Sequence, residues 1–230
     1  MKKRYLIVMM LCSSLWLNAQ NFIHPGMLHT QADLDRTKAK VEAGEEPWAS
    51  AYRKLLTSPH VSLDWKAAPV EKIVRGGRTI WEPDPDNYQL AYRDAATAYQ
   101  CALVWHISGN KAYADKSVQI LNAWAKTCKK VSGDTNACLA YGLYGYQFAN
   151  AAELMRDYEG WKTEDFEIFK KWMDKTFYPI CNDFLDNHFN SAAIVGWMSW
   201  DLPAMLTILS IGVLNDDDAL SLIHISEPTR

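Results

Sequence analysis

Between residues 30 and 215, apolar side chains return at intervals of three and four, and no segment alternates apolar and polar residues as a half-buried strand does. A chain patterned this way packs helix on helix. Thr30 with Asp33 opens a predicted helix through Val41 that Gly44 closes, and Pro47 sits at the first turn of a second, Trp48 to Leu56. Residues 58 to 86 hold Pro59, Pro69, Gly76, Gly77, Pro83 and Pro85, which makes a long loop region of the kind that more often carries function than spacing. Helical pairs follow. Tyr88 to Ile107 and Lys111 to Thr127 flank a Ser108-Gly109-Asn110 turn in which Asn110 caps the second member. Asn136 to Tyr158 and Thr163 to Phe177 join across Gly160 with Thr163 as N-cap, and a last apolar helix runs from Trp197 to Leu214. Hairpins repeated at about fifty residues describe a stacked or ring-closed all-α array, in which no hairpin buries its faces alone.

The two ends stand outside this pattern. Lys2, Lys3 and Arg4, an apolar stretch from Tyr5 to Leu17, and Leu17-Asn18-Ala19 make residues 1–19 a secretory signal peptide, too short to span a bilayer. The mature chain is therefore expected to be exported, periplasmic or secreted. Residues 220–230, LSLIHISEPTR, resemble the translation of a DNA-sequencing adapter, so a non-native tail is expected after Ala219, on a chain that is the N-terminal part of a longer protein. Residues 20–219 then form the domain. With 49% hydrophobic residues, 10 Trp and 11 Tyr, it is no disordered polyelectrolyte, and 24 Lys and Arg against 27 Asp and Glu leave no footprint for nucleic acid. The last apolar helix contains Asp201 and Pro203 and reads as buried core, which leaves no membrane span. Cys101, Cys128, Cys138 and Cys181 remain after export and fit buried free thiols, since Cys101 and Cys138 lie in apolar stripes. Neither CxxC nor HExxH occurs, so no metal site is expected.

Chemistry-bearing residues concentrate in two places. The stretch Asn182 to Asp201 gathers Asn187, His188, Asn190, Trp197 and Trp200, and amides and an imidazole beside indoles suit a carbohydrate, whose rings need flat apolar faces and a few fixed donors. Trp197 and Trp200, three apart, equally fit core packing on one helix face. The stretch Gly133 to Trp161 offers Asn136 and Tyr146 to a cleft, while Tyr141, Tyr144 and Phe148 recur as ordinary packing residues. Arg93-Asp94 and His106 are weaker candidates. Lys72, Arg75 and Arg78 form a basic group in the Gly-rich loop; a solvated loop explains them as well as a role in holding a polyanion against the field of an acidic protein.

Four segments carry a family likeness: HPGMLHTQADLDRTKAKVEAGEEPWASAYRKL, YRDAATAYQCALVWHISGNKAYADKSVQILNAWA, GDTNACLAYGLYGYQFANAAELMR and WDLPAMLTILSIGVLNDDDAL. Together they resemble the alginate lyase domain family of exported polysaccharide lyases, over His24 to Ala219. The resemblance implies an (α/α)n toroid, incomplete in this chain, and β-elimination on a 4-linked uronic acid polymer, of alginate or glucuronan type. It implies an anionic polysaccharide partner and no cofactor. Such chemistry requires neutralising the sugar carboxylate, removing the C5 proton and protonating the leaving O4. By resemblance Asn187, His188 and Asn190 are the catalytic candidates, although Trp197 lies nine residues past His188 rather than close behind it. Asn136, Tyr146, Trp197, Trp200 and Arg75 are the substrate-binding candidates. The Tyr serving as base or acid is expected beyond residue 219, which would leave the fragment inactive. Two other readings stay open: a toroidal glycoside hydrolase using two of Asp94, Asp183, Asp186 and Asp201, and a glycan-binding module without catalysis.

Overall fold

The computed structural model describes residues 22–188 and 198–220. Its helices, in chain order, are α1 (Gln31–Glu42), α2 (Trp48–Leu56), α3 (Gln89–Ser108), α4 (Lys111–Thr127), α5 (Ala137–Leu154), α6 (Thr163–Thr176), α7 (Tyr178–Asn187) and α8 (Met198–Asn215). Two short strands, β1 (Lys72–Arg75) and β2 (Lys130–Gly133), lie among them.

Local sequence signals account for most of the helix ends. Thr30 and Asp33 form the reciprocal capping box at α1, and the Asn110 side chain accepts from the Ala112 N–H at the start of α4. Three boundaries differ from the sequence reading. α6 is capped by Lys162, with Thr163 its first residue, and α5 stops at Leu154 because the chain from Met155 to Trp161 coils into successive turns. Pro179, in the first turn of α7, starts a separate helix immediately after α6, because a proline fits an N-terminal turn where its missing N–H costs nothing.

The expectation of no strand is corrected by β1 and β2, which pair in parallel with Lys72 opposite Lys130 and Arg75 opposite Gly133. Four-residue strands are too short to show alternation. The α3–α4 hairpin supplies the long crossover that a parallel pair needs.

The helices form two layers. α3, α5 and α8 run side by side in one direction: Gly142 meets Pro203, Asn150 meets Ser210 and the Arg156 guanidinium reaches the Leu214 carbonyl, while the His106 ring reaches the Leu154 carbonyl at the far end of α3. α4 and α6 run parallel to each other in the second layer, joined by the Lys126–Asp165 contact, while Tyr158–Asp115 and Trp161–Asn122 tie the turns before α6 to α4. Gly142 has a packing reason for lacking a side chain, since an added Cβ would lie 2.6 Å from that of Pro203. Phe148 on α5 centres the core, with Trp124, Trp172 and Phe177 around it at 5.3 to 6.3 Å. All four described cysteines are free and buried.

Candidate functional site

The β1–β2 pair places the first functional side chain. Opposite Arg75, Gly133 adopts φ +147° and leaves no room for a Cβ, which would lie 1.7 Å from the Arg75 carbonyl oxygen. Glycine tolerates that backbone where other residues do not. The half-buried Arg75 guanidinium then donates from Nη1 to the Tyr144 hydroxyl at 3.0 Å and stacks over the Tyr88 ring at 4.9 Å. Tyr88 and Tyr144 are themselves stacked, 6.5 Å apart and 4° from parallel, and Tyr92 closes the cluster at 6.1 Å from Tyr144. Burial pushes the Tyr144 phenol up to about 12, with Arg75 pulling the other way. Among the described residues no carboxylate forms an ion pair with Arg75. Its neighbours in the basic group differ: Lys72 is paired with Glu82 at 2.8 Å and Asp84 at 2.6 Å, and Arg78 is exposed.

A second group lies at the adjacent start of α8. α7 ends on His188 in the left-handed conformation (φ 45°, ψ 40°), a common way for a helix to terminate, and its Nε2 lies 2.9 Å from Asp201 Oδ1 in the first turn of α8. The Phe184 ring packs edge-on against the imidazole at 5.1 Å. Cys138, in the first turn of α5, connects the two groups. Its thiol contacts the Trp200 carbonyl at 3.9 Å; burial pushes its pKa up to about 12, Asp201 adds to the rise and Arg75 opposes it. Arg75 and Asp201 therefore both act on one residue at the start of α5, where the helix dipole adds positive potential.

The structure brings some sequence candidates together and separates others. Arg75, Asn136, His188 and Trp200 gather around the starts of α5 and α8. Asn136 precedes α5, and its backbone and side-chain N–H groups both donate to Asp134, whose own N–H bonds the Gly76 carbonyl next to Arg75. Trp200 is half-buried against the core. Asn187 is exposed and donates to Asp183 along its own helix at 2.8 Å, away from the His188–Asp201 contact. Tyr146 lies on another face of α5, beside Tyr99; burial raises Tyr99 to about 12 and Tyr146 adds to the rise. Tyr99 in turn meets the His29 ring at 2.5 Å. Asn190 and Trp197 lie outside the described residues.

Tyr144 reads from the sequence as a packing residue, and Tyr88 and Tyr92 do not stand out in it, yet these three rings cluster together beside Arg75. The i, i+4 spacing of Tyr88 and Tyr92 was the available signal. The carboxylates weighed for hydrolysis are otherwise engaged. Asp94 is buried and accepts from Trp65 Nε1, Trp124 Nε1 and the Ala68 N–H at 2.7 to 2.8 Å. Asp183 and Asp186 take helix-surface amides, and Asp201 takes His188. Among the described residues no three His, Cys, Asp or Glu side chains converge as a metal site, and no helix is long and apolar enough to cross a membrane.

Comparison with known proteins places the chain in a family. The sequence model described as alginate lyase matches residues 45–180, more than half of the chain. The chain belongs to the alginate lyase family. Its fold is similar to that of an alginate lyase from Bacteroides ovatus, with a TM-score of 0.57 and 13% identity over 89% of this chain. It spans 65% of the length of that structure. No curated protein sequence matches the chain.

Proposed function

We propose that the protein is an exported polysaccharide lyase that cleaves a 4-linked polyuronate, of alginate or glucuronan type, by β-elimination. Family membership supports the lyase class, and one observation carries the assignment to this site: Arg75 is held by tyrosines, with no carboxylate paired to it among the described residues, beside the His188–Asp201 pair. Arg75 neutralises the substrate carboxylate, which makes the C5 proton acidic enough to remove and stabilises the enolate that forms. His188, oriented by Asp201, takes the C5 proton or stabilises the charge that develops there. The electron pair from C5–H becomes the C4–C5 double bond as the C4–O4 bond breaks, and O4 leaves with a proton from a general acid. Trp200 covers a sugar face and Asn136 supplies a polar contact. Tyr144 and Tyr88 are positioning residues that hold Arg75. Export directed by residues 1–19 would place the enzyme where such polymers occur.

The test uses protein expressed from its genomic reading frame, incubated with alginate and with glucuronan. Elimination yields an ultraviolet-absorbing conjugated double bond, whereas hydrolysis yields reducing ends without it. Arg75→Ala is expected to lower turnover by about two orders of magnitude, the scale of losing one transition-state donor. Full turnover in Arg75→Ala would remove this site from the mechanism, and reducing ends without absorbance would replace the lyase reading with hydrolysis.

A further inference from the structure

A groove of about 360 Å³ lies in the outer helical layer between the C-terminal halves of α4 and α6. Cys128, Ile168 and Trp172 supply much of its floor, Lys171 and Lys175 its unpaired charge, and no carboxylate lines it. Most neighbouring lysines are neutralised: Lys126 by Asp165, Lys170 by Glu167 and Lys129 by Glu71. Lys171 and Lys175 have no ion-pair partner among the described residues, although the protein as a whole is acidic. Two like-charged lysines one helical turn apart repel each other, and an anionic ligand lying against both relieves that repulsion.

We propose that this groove is a second binding site for the anionic polysaccharide, separate from the Arg75 site; the choice of polymer rests on the lyase reading. The chemistry is that of a uronate chain. Ile168, 43% exposed, offers apolar surface to the carbon face of a sugar ring above the buried Trp172. Lys171 and Lys175, about 6 Å apart along the helix axis, present ammonium groups to carboxylates on successive sugars. An adjoining groove shares Lys171 but carries Glu167, Asp174 and Asp217, which repel a polyanion and confine it to the α4 side. Holding a remote stretch of polymer raises the local concentration of cleavable bonds without touching the reacting sugar.

Native gels cast with alginate, neutral dextran or dextran sulfate separate the outcomes. The parent protein is expected to be retarded by alginate and not by dextran. K171Q/K175Q, on exposed positions that keep their helix propensity, is expected to bind alginate about tenfold more weakly. Its turnover on a uronate tetrasaccharide should stay unchanged, and R75A should retain the lysine-dependent retardation. Equal retardation of K171Q/K175Q and parent by alginate overturns the proposal, as does retardation by dextran sulfate of the same strength and lysine dependence. Lysine-dependent binding to alginate without unsaturated product keeps the groove and removes the lyase reading; unsaturated product without lysine-dependent binding does the reverse.

Discussion

Asp94 is a buried carboxylate held by three N–H donors, two of them indoles from Trp65 and Trp124. It ties the loop region to α3 and α4, so removing it strands three donors at once. Asp94→Ala is expected to destabilise the fold by about 3 to 5 kcal/mol, the cost of leaving buried partners unpaired, which urea titration would read directly. Histidines at this scale set the response to acid. Burial lowers the pKa of His29, His60 and His106 below the usual 6.5, so the folded chain keeps them neutral where the unfolded chain takes up protons. Stability is thus whole above about pH 6.5 and falls as pH drops below it. His106→Gln, which can still donate to the Leu154 carbonyl, should flatten the fall in melting temperature between about pH 7.5 and 5.5; a slope equal to the parent's would show that His106 does not contribute. A further loss follows at lower pH. Glu82, held down to about 2 first by its hydrogen bond from Lys72, keeps its stabilising contribution until the pH falls below the ordinary carboxylate range.

At the scale of elements, the β1–β2 pair decides where Arg75 points. Its register leaves room for no side chain at residue 133. Gly133→Ala would place a Cβ against the Arg75 carbonyl on a backbone alanine disfavours, and a loss of about 2 to 4 kcal/mol is expected. Calorimetry would read the loss, and binding of a uronate oligosaccharide should weaken with it, because the guanidinium moves off Tyr144. Unchanged stability would mean that the two strands do not constrain each other. Little of this was legible in the sequence: LysIleValArg and LysValSerGly lie more than fifty residues apart, and parallel pairing leaves no local signal. By contrast, the caps at Thr30 and Asn110 were legible, because capping uses side chains within three residues of the backbone they satisfy. His188 was singled out from its neighbours in sequence, yet its partner Asp201 came from another helix, and Asn187 turned out to serve its own helix surface.

Across the whole molecule, α8 is the most apolar helix and packs chiefly against α5, with further contacts to α7 and α6. Ala204, Ile208, Ile211 and Leu214 are buried there, while Leu202 is 60% exposed and Met205, Leu206, Leu209 and Val213 are partly so. A stripe of this kind on a water-facing surface favours association. The 230-residue chain is expected to sediment as more than a monomer at micromolar concentration, and Leu202→Lys with Leu206→Lys to shift it toward the monomer in analytical ultracentrifugation. A monomeric parent would show that this face is covered within the chain itself.

The three-and-four periodicity, the caps and the turn residues determined an all-α chain of helical hairpins, because each acts over one or two helical turns and is written in adjacent residues. The buried state of Cys101 and Cys138 followed from the same stripes. What only the tertiary structure decided was which face of each helix meets which other. It stacked Tyr88 on Tyr144, set Arg75 against both, and brought His188 to Asp201 at the start of α8. It also put Tyr146 with Tyr99 rather than with Arg75. Those choices depend on packing between residues 13 to 69 positions apart, where periodicity says that a face is buried but not against what.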